Sequence, residues 1–268
     1  MATTTTPSAR AIPRTSGVRA RLVNEAELRA TLSTFRELSD EDWRRPTACT
    51  GWTVRDMLAH TVGQYEELPR PWVAVRRIRR AARTHPDLGP LDGHNEAQIE
   101  DRKAVPGREL IGALAHFAPQ GLIALRRVPA PVRRRVRPSW LYPEAKALAE
   151  DSMDHLGNVL VARDTWMHRV DLSDATGAEL VLDGHDREIV DQVVLDLALS
   201  WTGPAVETDL HGPAGGRRLL GIGTPAAILH ADAVDFARHL SGRPVRGSLE
   251  LEGEPGARAA LMAARVVF

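Results

Sequence analysis

The chain has 268 residues, of which 43% are hydrophobic and 26% charged, and its 35 Lys+Arg balance its 35 Asp+Glu. That length accommodates a helical bundle plus a smaller second domain, and zero net charge argues against a dedicated nucleic-acid binder. Cys49 is the single cysteine, which excludes an intrachain disulfide framework and a Cys-rich zinc site.

Residues 1–17 are rich in Thr, Ser, Pro and Ala and read as a disordered tail without the apolar stretch of a signal peptide. No run of about 18 apolar residues predicts a membrane span, so the expected location is the cytoplasm, whose reducing conditions suit a lone thiol. From Val18 to Leu38 the spacing of Leu22, Ala26, Leu28, Leu32 and Phe35 predicts a helix with one apolar face. Thr53 followed by Asp56 is a capping-box pattern that starts a helix at Val54. Val54, Met57, Leu58, Thr61, Val62 and Tyr65 then give that helix its amphipathic stripe.

Pro69 and Pro71 interrupt the pattern, and an Arg-rich region predicts a helix, a loop and a second helix over Asn95–Lys103. A long helix is expected from Arg108 to Arg127, then a proline-marked crossover with some helix near Glu144–Ala149. Leu156, Val159, Leu160, Met167 and Val170 predict a last core helix from Ser152 to Leu172. Four such helices and a long connection suit a four-helix bundle over residues 18–175.

The texture changes after Gly177. Strands are expected at Glu179–Leu182, Val206–Leu210, Arg217–Ile222 and Ser248–Leu251, and helices at Asp186–Trp201, Pro225–Leu240 (capped by Thr224) and Gly256–Arg265. Residues 176–268 therefore read as a small α+β domain, with the boundary near Ala175–Ala178, and the fold class is α+β.

Two of the bundle helices carry polar groups beside their stripes. His60 flanks the stripe of one, while Asp164 and His168, four apart on the other, point the same way and can share one ion. Two histidines and a carboxylate suit Zn2+ and leave a coordination position open for water or substrate. Nickel, iron and manganese accept the same donors. The alternative for the i, i+4 pair is a surface Asp–His contact.

His94 and His155 lack a partner at ligand spacing and read as surface residues, and Cys49 and Trp52 read as packing residues at the start of the helix. The arginines at 70, 76, 77, 79, 80 and 83, and at 133, 134, 135 and 137, read as solvated faces. Too few aromatics lie among them for stacking on nucleic acid.

Three segments carry a family likeness. The first runs Trp43-Arg44-Arg45-Pro46-Thr47-Ala48-Cys49-Thr50-Gly51-Trp52-Thr53-Val54-Arg55-Asp56-Met57-Leu58-Ala59-His60. The second is Asp164-Thr165-Trp166-Met167-His168-Arg169-Val170-Asp171, and the third is Asp235-Phe236-Ala237-Arg238-His239-Leu240-Ser241-Gly242-Arg243. In order and spacing they resemble the mycothiol-dependent maleylpyruvate isomerase family, within the DinB-like superfamily of metal-binding four-helix bundles.

The resemblance implies that His60, Asp164 and His168 bind zinc and that mycothiol or a similar low-molecular-weight thiol is cosubstrate. It implies thiol-assisted cis-trans isomerisation or thiol transfer on a small electrophile. In the isomerisation, the thiolate adds to an electrophilic carbon, the adduct rotates about the resulting single bond, and the thiol leaves. The family acid is usually Glu. Asp164 is one methylene shorter, so its helix must lie closer to the ion, or the carboxylate must bind through water.

The expected function is a metal-dependent isomerase or S-transferase. The rivals are a non-catalytic metal- or small-molecule-binding regulatory module, which would show no turnover, and a metal-dependent hydrolase, which would need no thiol. Arg238 and Arg243 are candidate cations for an anionic substrate, and Asn95 and Arg102 are candidate substrate contacts. Small molecules are the expected partners. Oligomeric state is not legible in the sequence.

Overall fold

The structure, a computed structural model, describes residues 6–268 and divides into two compact units. One comprises Ala20–Lys146 and Asp151–Leu180, the other the residues up to Arg19, Ala147–Glu150 and Val181–Phe268.

The first unit is the helical bundle. Its elements are α1 (Gly17–Arg36, of which the last 17 residues belong here), α2 (Val54–Glu67), α3 (Pro71–Thr84), α4 (Pro90–Glu100) and α5 (Gly107–Arg127). The short turns α6 (Ala130–Arg133) and α7 (Met153–His155) follow, and then α8 (Val161–Thr176). Its core joins Leu28, Leu32 and Phe35 of α1, Met57, Leu58 and Tyr65 of α2, Leu110, Leu114 and Leu122 of α5, and Val161 and Leu172 of α8. Both capping-box hydrogen bonds between Thr53 and Asp56 are present, which fixes the start of α2 at Val54.

The second helix of the Arg-rich region begins at Pro90 rather than Asn95, because Pro at the first helical position lacks only an N–H that would be unpaired there. Leu22, expected in the core, is 50% exposed. The inward face of α1 instead includes Val23 and Glu27, and Glu27 receives the Arg169 guanidinium inside the bundle. Between α7 and α8, Leu156–Leu160 forms one π-helical turn, so the expected continuous helix changes phase just before Asp164.

The second unit is a four-stranded sheet with helices. It contains α9 (Gly184–Ser200), β1 (Val206–His211), β2 (Gly216–Leu220), β3 (Ala227–Asp232), α10 (Ala233–Leu240), β4 (Leu249–Gly253) and α11 (Pro255–Ala263). The strand order is β2-β1-β3-β4, with β1 and β3 parallel and both outer pairs antiparallel. Helix α10 packs on β1, β3 and α9, and α11 packs on β4.

Three expectations are corrected in this unit. Residues 179–182 form no strand; they link Gly177, whose φ of +75° ends α8, to the Asp183 capping box of α9. The helix expected from Pro225 is a strand followed by a helix. Ala227, Leu229 and Ala231 are buried and alternate with exposed Ile228 and His230, and sheet pairing on both edges outweighs the helix propensity of Ala and Leu. Asp232, not Thr224, caps the helix that follows.

The tail expected over 1–17 is packed from Thr6 onward, and its first five residues lie outside those described. The Leu219 N–H donates to Pro7 O (2.9 Å), Gln192 Nε2 donates to Pro13 O (2.9 Å), and Ala9, Ile12 and Thr15 are buried. Composition suggested disorder, but these few apolar and hydroxyl side chains find partners on α9 and β2.

Candidate metal centre

The site is built from two helices of the bundle. A tight turn, Trp52 N–H to Cys49 O at 3.0 Å with Gly51 at φ +82°, leads into the capped start of α2. His60 follows two turns later and is 2% exposed. On α8, Asp164 and His168 sit one turn apart and face it. Asp164 Oδ2 lies 4.0 Å from His60 Nε2, and Asp164 Oδ1 lies 3.6 Å from His168 Nε2. Potential ligand atoms of all three residues fall within 4.8 Å of one another. The two imidazole rings meet edge to face with centroids 5.3 Å apart.

This arrangement fits a cation. Three donors bonded tetrahedrally to one Zn2+ at about 2.1 Å stand roughly 3.4 Å apart, so the two Asp164–imidazole separations of 3.6 and 4.0 Å would need to close only slightly. Asp164 Oδ2 and His168 Nε2 are also buried without a hydrogen-bond partner among the described residues. Buried polar atoms normally have one, and two such atoms converging on a third donor suit a cation-binding site. The carboxylate of Asp164 reaches the imidazoles in spite of its shorter side chain.

The Nδ1 edge of each ring is held, and Gln64 approaches the Nε2 edge of His60, which also faces Asp164. His60 Nδ1 lies 2.7 Å from Gln98 Oε1, and Gln64 Nε2 approaches His60 Nε2 at 3.0 Å. His168 Nδ1 lies 3.4 Å from Asp171 Oδ2, and Cys49 Sγ lies 3.9 Å from the same nitrogen and 3.7 Å from that carboxylate. Cys49, His168 and Asp171 also form a possible donor group. It uses the other nitrogen of His168, which is how outer groups orient a ligating imidazole.

Electrostatics separate the two histidines. Burial pushes His60 down to about 4, against a weaker opposing pull from Asp164, so its ring is neutral near pH 7. Burial also disfavours His168 as a cation, but Asp164 and then Asp171 outweigh it and hold its pKa well above the ordinary value.

The family described as the mycothiol maleylpyruvate isomerase N-terminal domain matches residues 25–173, more than half of the chain. The chain belongs to this family. The match contains His60, Asp164 and His168 and ends before α9 and the four strands.

The fold resembles the crystal structure of a mycothiol-dependent maleylpyruvate isomerase, with a TM-score of 0.59 and 15% identity over 93% of this chain and 98% of that one. A variant of that enzyme with one histidine replaced by alanine matches equally. At this identity the likeness concerns the fold. Comparison with curated proteins gave no match.

Within this family member, the other residues singled out from sequence have varied places. Asn95 is half-buried on α4. Arg102 is buried, donating to Gln98 O at 3.0 Å and to Glu66 at 2.5 Å. Arg238 is buried in the second unit, where its Nε donates to Pro244 O at 2.7 Å and braces the turn after α10; Arg243 is half-buried in that turn.

His94 and His155 are buried rather than exposed. His94 bonds Glu67 at 2.9 Å and Tyr142 at 2.7 Å. Arg77, expected on a solvated face, is buried against Glu66, Glu67 and Asp101. Long-range partners surround His94 and Arg77, and no local spacing reveals them.

Trp52 has a second role beside packing. Its ring lies 4.9 Å from that of His60 and 6.3 Å from that of His168, and its Nε1 donates to Glu96 at 2.7 Å. Gln98, Glu67 and Asp171 were not singled out from sequence. Of these, only Asp171 had a signal, three residues beyond His168.

Proposed function

We propose that this chain is a metal-dependent enzyme that uses a low-molecular-weight thiol, such as mycothiol, to isomerise a small electrophilic substrate. The observation that carries the reading is the convergence of His60 Nε2, Asp164 and His168 Nε2, two of whose buried polar atoms have no hydrogen-bond partner among the described residues. Family membership supports the thiol and the isomerisation. Zn2+ suits two imidazoles and one carboxylate and is the ion assigned in this reading. When bound, it would supply Lewis acidity and lower the pKa of a thiol into the neutral range.

The protein's own groups have distinct tasks in this reading. His60, Asp164 and His168 hold the ion. Asp171 accepts the proton on His168 Nδ1, leaving Nε2 as the ligating atom. Trp52 sets an apolar ring beside both imidazoles. Gln64, one turn beyond His60, approaches His60 Nε2 at 3.0 Å, and its amide would have to turn from that nitrogen for an ion to be held there, where it would be placed to donate to a substrate oxygen. The setting we assign is the cytoplasm, with small-molecule partners; no described helix is long and apolar enough to cross a membrane.

Elemental mass spectrometry of the purified chain, beside His60→Ala and His168→Ala, tests the site. About one divalent ion per chain, lost in both variants, is the expected result. Metal retained by both variants would mean that other residues bind it. Turnover that needs both metal and added thiol supports the enzyme reading. Turnover without thiol would favour hydrolysis, and metal binding without turnover would favour a binding module.

A further inference from the structure

The polar atoms behind His60 form a chain whose direction is set from its far end. Arg77 Nη1 donates to Glu67 Oε1 at 2.6 Å. A carboxylate only accepts, so Glu67 Oε2 takes an N–H from Gln98 Nε2 at 3.0 Å. That orients the Gln98 amide and turns its Oε1 to His60 Nδ1 at 2.7 Å. The inverted amide would set its oxygen against the Glu67 carboxylate.

A carbonyl oxygen accepts, so the ring proton of His60 resides on Nδ1, and Nε2 turns its lone pair toward Asp164. The Gln64 amide at 3.0 Å from Nε2 agrees, since it donates to that lone pair. The room for Gln98 comes from Gly63, the residue three beyond His60. A Cβ at Gly63 would lie 2.7 Å from both Cβ and Cγ of Gln98.

We propose that Glu67 and Gln98 are positioning residues that fix the tautomer of His60 and so prepare Nε2 to take a divalent cation, an inference that rests on the metal reading above. Neither residue touches the ion; Glu67 acts through Gln98, and Gln98 through His60. Gly63 is part of the same device because any larger side chain displaces the amide.

Imidazole nitrogen NMR of the metal-free full chain tests this directly. The expected spectrum has His60 as a single Nδ1–H tautomer in the wild type and as a mixture in Gln98→Leu and Gly63→Ala. Zinc affinity is expected to fall about 10- to 100-fold in both variants, with folding checked by circular dichroism. An Nε2–H tautomer in the wild type would overturn the proposal, and that spectrum decides even where a variant does not fold. A folded Gln98→Leu with unchanged tautomer and affinity would also overturn it. A wild type with the Nδ1–H tautomer but no zinc uptake would remove the metal reading while leaving the tautomer assignment intact.

Discussion

Arg169 of α8 donates to both oxygens of Glu27 on α1, Nε at 2.9 Å and Nη2 at 2.8 Å, with both side chains buried. The pair ties α8 to α1 at the residue next to His168. Glu27→Ala takes a two-bond contact from a buried guanidinium, and breaking a buried ion pair in this way is expected to cost about 3–5 kcal/mol. Urea unfolding measures it, with an unchanged slope showing that stability rather than compactness has moved. A loss below about 1 kcal/mol would mean that other contacts hold Arg169.

Asp171 should tune metal binding without supplying a bond. Its carboxylate sits 3.4 Å from His168 Nδ1, on the side of the ring away from Asp164. Asp171→Asn is expected to weaken zinc binding about 10- to 100-fold, whereas Asp164→Asn should weaken it further by removing a charged ligand. Competition with a chelator of known affinity ranks the variants. The reverse order would make Asp171 the ligand.

Zinc uptake should release about one proton per ion near pH 7. His60 is already neutral, with a pKa of about 4, while His168 is held well above its ordinary value and keeps its proton until the ion displaces it. Because the raised group must lose a proton to bind, affinity should rise about tenfold per pH unit and level off once His168 deprotonates unaided. Calorimetry in buffers of different ionisation heat counts the protons. A count near zero or two would contradict the assignment.

Two glycines of α5 should respond oppositely to alanine. A Cβ at Gly121 would lie 2.7 Å from the backbone oxygen of Tyr65 on α2, whereas one at Gly112 would meet nothing within 4 Å. Gly121→Ala should destabilise the bundle by about 1–3 kcal/mol through forced separation of the helices. Gly112→Ala should stabilise it by up to about 1 kcal/mol through helix propensity. Thermal unfolding distinguishes them, and equal shifts would show that α2 and α5 do not meet at Gly121.

The start of α2 was legible because its capping box is local, and α9 was legible to within two residues because its apolar pattern is local. The placing of His60, Asp164 and His168 on two core helices was legible for the same reason, and the family likeness joined them into one site. Strand β3 was hidden because its buried positions are Ala and Leu, which suit a helix equally well, and only pairing with β1 and β4 decides between the two states. Glu67 and Gln98 were hidden because their role depends on contacts across α2, α3 and α4, where no spacing rule applies. Residues 6–17 misled because a polar composition was read without the surface that receives it.

That segment also bears on the order of events at the ribosome. Residues 6–15 hydrogen-bond to α9 and β2, which are made more than 170 residues later. The bundle lies almost wholly between these points, so it can collapse while the chain is still emerging. The sheet-containing unit must wait for its last strands and then recapture the first residues synthesised. Its folding therefore carries long-range loop closure, and it is the unit for which slow synthesis or an early pause would have the greater consequence.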